Sequence, residues 1–308
     1  MILEIFEKYI REDIMKIKIT GDSTIDLTSE QRKKFNIDVI GVNVIFDGKE
    51  YQDGVNISSD QLLEMIDKTG NLPKTASLNA QNYIDFFQKF FDEGYDSVIH
   101  FSFSSELSLL NSAAVQASKE MKNVYVINTL SLSSGSGLLA LHAAELAQSK
   151  KYDAKTIFEK CQARVPAIQA SFVLDKLTLL HKGGRCSMIA AIGANLLKIK
   201  PCIQVVEGKM KVVRKYRGKM QVVVSEYVQD TLALYNTPDT TRCFITYTTV
   251  TPDILKNVRE ELKKYGKFKE IIESRASATI TSHCGHNTIG ILYLNDGKPE
   301  QEQLSLDL

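Results

Sequence analysis

Residues 16–27 read KIKITGDSTIDL, and the fold turns on how that stretch divides. Lys16–Thr20 alternates polar and apolar side chains, the period of a strand. Gly21-Asp22-Ser23-Thr24 then ends the run with a small residue and three polar ones. In an open parallel sheet, ligands bind just beyond the carboxyl ends of the strands. A strand that empties into Gly-Asp-Ser-Thr therefore predicts both a sheet and a place where chemistry gathers.

Working outward, the pattern recurs. Asp38–Phe46 is β-branched and apolar, Ser97–Phe103 reads as a strand running into Ser104 and Ser105, and Val124–Ile127 is a short strand ending at Asn128-Thr129-Leu130-Ser131. Helices fall between them. Ser58–Asp67 has Ser58 and Gln61 at capping-box spacing. Asn79–Glu93 is aromatic and amphipathic, capped by Asn79 and stopped by Gly94. Leu107–Met121 and the Ala/Leu-rich Gly135–Ser149 follow. This alternation predicts an α/β domain, a parallel sheet with helices on its faces.

After the helix Ala154–Arg164 the pattern changes. Strands are predicted at Ile168–Leu174, Ile199–Glu207 and Lys209–Arg217, the last two joined by a tight hairpin at Gly208. Helix Val222–Tyr235, strand Cys243–Thr248, helix Pro252–Tyr265 and strands Phe268–Ser274 and Thr288–Leu294 complete the chain. The second domain is expected to be α+β with a mainly antiparallel sheet. The expected division is an extension at 1–14, the parallel-sheet domain at 15–153 and the α+β domain at 154–308, with a ligand cleft between the two.

Composition bounds the function. The chain has 308 residues, 44% hydrophobic and 24% charged, as ordinary globular proteins do. A net charge of +1 recruits neither nucleic acid nor an anionic membrane by bulk electrostatics. No apolar run is long enough for stable membrane insertion. The five cysteines are scattered and form no C-x-x-C pair, which points to a reduced, cytoplasmic setting. Met1–Ile14 is amphipathic and carries Glu4, Glu7 and Glu12, so it reads as an extension outside the core and not as a secretory signal. No metal is expected, because His283-Cys284-Gly285-His286 is spaced too tightly for a tetrahedral site.

The strand ends bring Ser104, Ser105 and Ser131 to one rim, and Thr75-Ala76-Ser77 lies just before the aromatic helix. Hydroxyls donate to carboxylate or phosphate oxygens without the cost of a full charge; each can equally cap a helix. Ser133–Gly137, SSGSG, opens a helix and can cradle an anion, but it is neither a dinucleotide fingerprint nor a P-loop. His283 lies in Ser277–Gly290, SATITSHCGHNTIG, read as an extended segment; a neutral imidazole can donate to one group and accept from another. There is no G-x-S-x-G elbow, so a hydrolase or phosphatase would have to assemble Ser105, His283 and Asp22 from afar. In Val173–Ser187, VLDKLTLLHKGGRCS, two glycines flanked by Lys182 and Arg185 can make a positive, tightly turned edge, or equally a helix end capped by glycine with cations offsetting its dipole. The apolar run Met188–Leu197 follows, a candidate cleft wall. The hairpin adds Arg214, Lys215 and Arg217, which read as a solvated face from which one arginine can turn inward to a charged head group and the rest can meet an acidic partner.

Taken in order, these segments resemble the DegV family of bacterial fatty-acid-binding proteins. TGDSTIDL at Thr20–Leu27 is similar to its opening D-S-x-x-D-L, and VIFDGKEYQDG to the following strand and tyrosine-aspartate-glycine turn. KTASLNAQNY stands in the place of T-S-x-P-S, SSELSLLNSA of S-S-x-L-S-G-T-x-x-S-A, and VINTLSLSSGSG of V-I-D-S-x-x-x-S-x-G-x-G. HKGGRCS is similar to K-G-G-R-I-S, LKIKPCIQVVEGKMKVVRKYRGK to the K-P hairpin, and SHCGHNTIG to H-T-G-P-G-x-x-G. The resemblance runs from about Lys16 to Leu294.

It implies two α/β-type domains with a long-chain fatty acid buried between them, no cofactor, and no catalysis by this chain alone. Its implied carboxyl ligands are Thr75, Ser104 or Ser105, and His283, with Ser77, Ser131 and Arg217 nearby. It also implies a partner, an ATP-dependent fatty acid kinase, which the basic residues Lys182, Arg185, Arg214 and Lys215 would meet. The alternatives are the hydrolase named above and a lipid carrier with no kinase. The chain departs from the family pattern at Leu78 for proline, at the missing Gly-Thr after Ser108, at His286 and Asn287 for Pro-Gly, and at Asn128 for aspartate. All four lie at the presumed head-group rim.

Overall fold

Strand β1 (Ile17–Asp22) is buried from Lys18 onward, although its sequence alternates. The reason is the company it keeps. In the computed structural model, which describes residues 15–185 and 199–297, β1 lies inside a parallel sheet covered on both faces. Lys18, 2% exposed, is accommodated by an ion pair to Asp38 at 2.5 Å, a hydrogen bond to Asn36 at 2.8 Å, and the faces of Phe90 and Tyr95.

The remaining strands are β2 (Ile37–Ile40), β3 (Asn43–Phe46), β4 (Lys49–Gln52), β5 (Lys74–Ala76), β6 (Ser97–Ser102), β7 (Val124–Asn128) and β8 (Ile168–Val173). They continue with β9 (Ile199–Val206), β10 (Lys209–Arg217), β11 (Pro238–Tyr247), β12 (Glu270–Arg275) and β13 (Ile289–Asn295). The helices are α1 (Ser29–Phe35), α2 (Ser59–Thr69), α3 (Ala80–Asp92), α4 (Leu110–Glu120) and α5 (Ser133–Ser149). Then come α6 (Ala154–Arg164), α7 (Thr178–Gly183), α8 (Met220–Leu234), α9 (Pro252–Glu261) and α10 (Ala278–Cys284). The first sheet runs β2-β1-β6-β7, all parallel. The second runs β10-β9-β8-β13-β11-β12, antiparallel except for the β11–β12 pair. The fold is thus α/β with a parallel sheet followed by a mainly antiparallel one.

The run Asp38–Phe46 is not one strand. It divides at Gly41, where a Cβ would sit 2.6 Å from the Gln52 side chain and 2.8 Å from the Asp53 carbonyl. The chain turns there, leaving β2 in the parallel sheet and sending β3 into a small antiparallel sheet, β4-β3-β5. That small sheet carries Thr75.

Helix α5 joins the two layers. Leu138–Leu141, Ala143 and Ala144 of α5 share one core with Ile19, Ile99 and Phe101 of the first sheet and Ala170, Phe244 and Leu292 of the second. The glycines of SSGSG serve that packing: a Cβ on Gly137 would lie 2.5 Å from the Ile25 carbonyl, and one on Gly135 would lie 2.6 Å from Ser131 Oγ. Helix α6 packs on β6 and β7, so helical cover of the first sheet extends to Arg164. The aromatic face of α3 behaves as its pattern predicts. Tyr83, Phe87 and Phe90 are fully buried, each worth roughly 1.5–3 kcal/mol. Among the described residues, no helix is long and apolar enough to cross a membrane.

Candidate ligand-binding cleft

Between the layers lies a cleft of about 860 Å³, counting its open mouth. Its walls are largely apolar, with Val42, Leu110, Leu132, Phe172, Met210 and Ile280 among them. Thr75, Ser77, Ser108, Arg185 and His283 supply polar groups.

His283 stands at the carboxyl end of α10, not on an extended segment. Thr279, Ile280 and Thr281 suggest a strand by type, but the chain is held as a helix from its N-terminus. Ser277 Oγ accepts from the Ile280 N–H, and Asp53 accepts from the N–H groups of Ala278 (2.9 Å) and Thr279 (3.2 Å). Asp26 accepts from the Ser277 N–H at 2.9 Å and from Ser133 Oγ at 2.5 Å. Two carboxylates of the first half thus meet the positive end of a helix of the second. Burial is the main cause that raises Asp26 from its ordinary 3.8 to about 7. Ser59 and Thr281 hydrogen-bond through their hydroxyls and tie α2 to the same helix.

At the far end of α10, His283 Nε2 lies 3.0 Å from Thr75 Oγ1. Its Nδ1 is buried with no partner among the described residues. A Cβ on Gly183 would lie 2.4 Å from that nitrogen, so the glycine of the basic turn is what lets the imidazole sit there. Burial, with Arg185's charge second, lowers His283 to about 4, so it is neutral at pH 7. Arg185 Nη1 donates to the Gly183 carbonyl at 2.5 Å. Ser77 and Ser108 share a hydrogen bond of 3.1 Å at the same cleft.

The other candidates are placed differently. Ser104 is buried and donates to the Gly208 carbonyl at 2.8 Å, fastening the hairpin tip. Ser105 is exposed and accepts from Asn128 Nδ2 at 2.8 Å. The Ser131 hydroxyl is buried with no partner among the described residues and Ser131 does not line the cleft, nor does exposed Arg217 at the end of β10. Arg214 pairs with Asp230 at 2.9 Å, and Lys215 is exposed. Lys182 is also exposed and lines, with Lys74 and Arg185, a hollow that shares Thr75 and His283 with the cleft. Met1–Ile14 and Met188–Leu197 lie outside the described residues.

A Ser105–His283–Asp22 triad is not assembled. Asp22 is buried, accepts from Tyr83 Oη (2.6 Å) and the Phe103 N–H (2.8 Å), and faces His100 at 3.3 Å. His286, the other histidine of the loop, lies within hydrogen-bond distance of Thr249 and Asp67. Asp26 and Asp53 as helix anchors, Ser108, and Arg185 at the cleft were not singled out by sequence for these roles. The N-cap serine at 277 was the one signal that α10 is a helix.

A parallel α/β layer and a mainly antiparallel layer, with a largely apolar cleft between them, define a two-domain α/β protein. The chain belongs to the DegV family of uncharacterised proteins, which it matches over residues 16–296. A DegV domain-containing protein of Clostridium acetobutylicum is 31% identical over 284 residues, 91% of this chain and 98% of that one. The DegV structure from Thermus thermophilus superposes with a TM-score of 0.83 at 23% identity, covering 91% of this chain and all of that one. DegV of Bacillus subtilis, described as a fatty acid binding protein, gives 0.79 at 25% identity over 91% of this chain and 99% of its own. A Thermotoga maritima protein, described as revealing fatty acid binding function, gives 0.76 at 27% over the same shares.

Proposed function

We propose that the protein binds a long-chain fatty acid in the cleft and presents its carboxyl group to an ATP-dependent fatty acid kinase. The observation that carries this reading is the pairing of a largely apolar cleft with a few polar groups, mostly neutral, and one arginine. Burying each methylene contributes about 0.8 kcal/mol, so a long tail gains on the order of 10 kcal/mol before binding costs. A carboxylate drawn in behind it would forfeit much of that without donors. Thr75, Ser77, Ser108 and neutral His283 supply them, and Arg185 balances the charge. The relatives described as fatty-acid-binding support the choice of ligand.

The chemistry belongs to the partner. A carboxylate oxygen attacks the γ-phosphorus of ATP, the bond to the β-phosphate oxygen breaks, and an acyl phosphate and ADP result. The hollow lined by Lys74, Lys182 and Arg185 lies beside Thr75 and His283, where such a phosphoryl group would arrive. The test begins with native mass spectrometry of the purified protein and uptake of palmitate and oleate by delipidated material. Incubation with a bacterial fatty acid kinase, ATP and hydroxylamine should then trap acyl hydroxamate. Failure to take up either acid refutes the ligand; uptake without hydroxamate refutes the kinase role alone.

A further inference from the structure

The cleft holds more oxygen than one carboxylate needs. Ser133, Thr246, Thr248 and Thr288 line it, but each hydroxyl is engaged. Ser133 donates to Asp26, Thr246 lies 2.5 Å from Ser134 Oγ, Thr248 accepts from the Thr288 N–H at 3.2 Å, and Thr288 donates to the Cys284 carbonyl at 3.0 Å. Thr24 and Thr279 are different. Both line the cleft, at 1% and 7% exposure, and the hydroxyl of each is buried with no partner among the described residues. An aliphatic tail offers neither of them anything, and a buried hydroxyl left unpaired carries its full desolvation penalty.

Their positions are fixed by strong neighbours. Thr24 sits in the short turn between Asp22 and Asp26, both anchored by several donors. That turn packs against α10. The Thr279 N–H is held by Asp53. Thr279 precedes His283 by four residues on α10, so the two share a helix face roughly 6 Å apart along the axis.

We propose that Thr24 and Thr279 form a second polar subsite one helical turn from the carboxylate, and that it takes a hydroxyl borne on the acyl chain. The preferred ligand is then a hydroxylated fatty acid. This rests on the fatty-acid reading above and adds the position of a second oxygen.

The test is competition on delipidated protein between palmitate and a series of monohydroxypalmitates with the hydroxyl moved along the chain. One isomer in the carboxyl-proximal half should bind roughly 3- to 10-fold more tightly than palmitate, the range of one or two net hydrogen bonds. Thr24→Val and Thr279→Val should abolish that preference while still binding palmitate, which also reports that they fold. Thr279→Ser should keep it. If no isomer is preferred, or the preference survives both valines, the subsite is refuted and the carrier reading stands. If no acid binds, the carrier reading falls and the subsite with it.

Discussion

Thr75 Oγ1 and His283 Nε2 stand 3.0 Å apart across 208 positions of sequence. The contact joins β5 of the first half to α10 of the second, and both residues line the cleft. Two neutral groups at such a junction can turn donors toward a carboxylate without an ion pair to break first. His283→Ala should therefore lower retained fatty acid at least tenfold, read by mass spectrometry after extraction. Its unfolding temperature should move little, since the imidazole has one partner and an unpaired Nδ1. Undiminished lipid content in this variant would remove His283 from the head-group site.

Gly183 gives a cleaner test of the same geometry. It ends α7 without a positive φ, so alanine suits its backbone and should gain some helix propensity. The added Cβ would press on His283 Nδ1 from 2.4 Å. Gly183→Ala should weaken fatty acid binding roughly tenfold while stability changes by less than about 1 kcal/mol. Equal affinity in wild type and variant would show that the imidazole's placement is irrelevant.

Much of this was legible in residue patterns, and the failures have physical causes. Ser58 and Gln61 do form a capping box, and Asn79 caps the aromatic helix, because caps are local. The turn at Glu207-Gly208, both at positive φ, is the hairpin the glycine promised. The break at Gly41 was hidden because β-branched residues continue on both sides, and only Gln52 and Asp53 make it necessary. Helix α10 was hidden because, beyond its N-cap Ser277, the carboxyl groups that hold its start, Asp26 and Asp53, lie more than two hundred residues away. At the rim, spacing gathers the serines as a group, yet Ser104 and Ser105 answer to Gly208 and Asn128. A hydroxyl's partner is a matter of tertiary geometry that spacing does not carry.

The two candidate head-group arginines can be separated directly. Arg185 lines the cleft beside His283, whereas Arg217 is exposed on β10 and does not. Arg185→Ala should cut affinity for palmitate several-fold and more at low salt, where a partly exposed charge is least screened. Arg217→Ala should bind palmitate as the wild type does. The opposite ranking in a titration series would move the head group to the hairpin.

Asp53 should couple stability to binding. It accepts two N–H groups at the start of α10 and the Ser23 hydroxyl at 2.9 Å. Asp53→Ala should cost about 1–3 kcal/mol, as the loss of a buried cap does, and should loosen the helix that carries His283. Urea unfolding and palmitate titration should shift together. A destabilised variant with full affinity would mean that the cleft does not depend on how α10 is anchored.

The pH dependence should show two opposed slopes. Asp26 keeps its proton up to about 7 when folded and releases it near the ordinary 3.8 when unfolded. Between those values the folded state binds the extra proton, so stability falls as pH rises, by on the order of 4 kcal/mol at most. His283 is neutral down to about 4 when folded, against 6.5 unfolded, so in that window the unfolded state binds the extra proton and stability rises with pH. The two nearly offset below pH 6.5, and above it only the Asp26 slope persists to about 7. Asp26→Asn should therefore be stabilising above pH 7 and leave a curve that rises from pH 4 to 6.5. His283→Gln should leave the falling limb alone. Urea midpoints for the three proteins at pH 4.5, 6 and 7.5 read out both limbs, and parallel curves for wild type and Asp26→Asn would show that the Asp26 carboxyl titrates alike in both states.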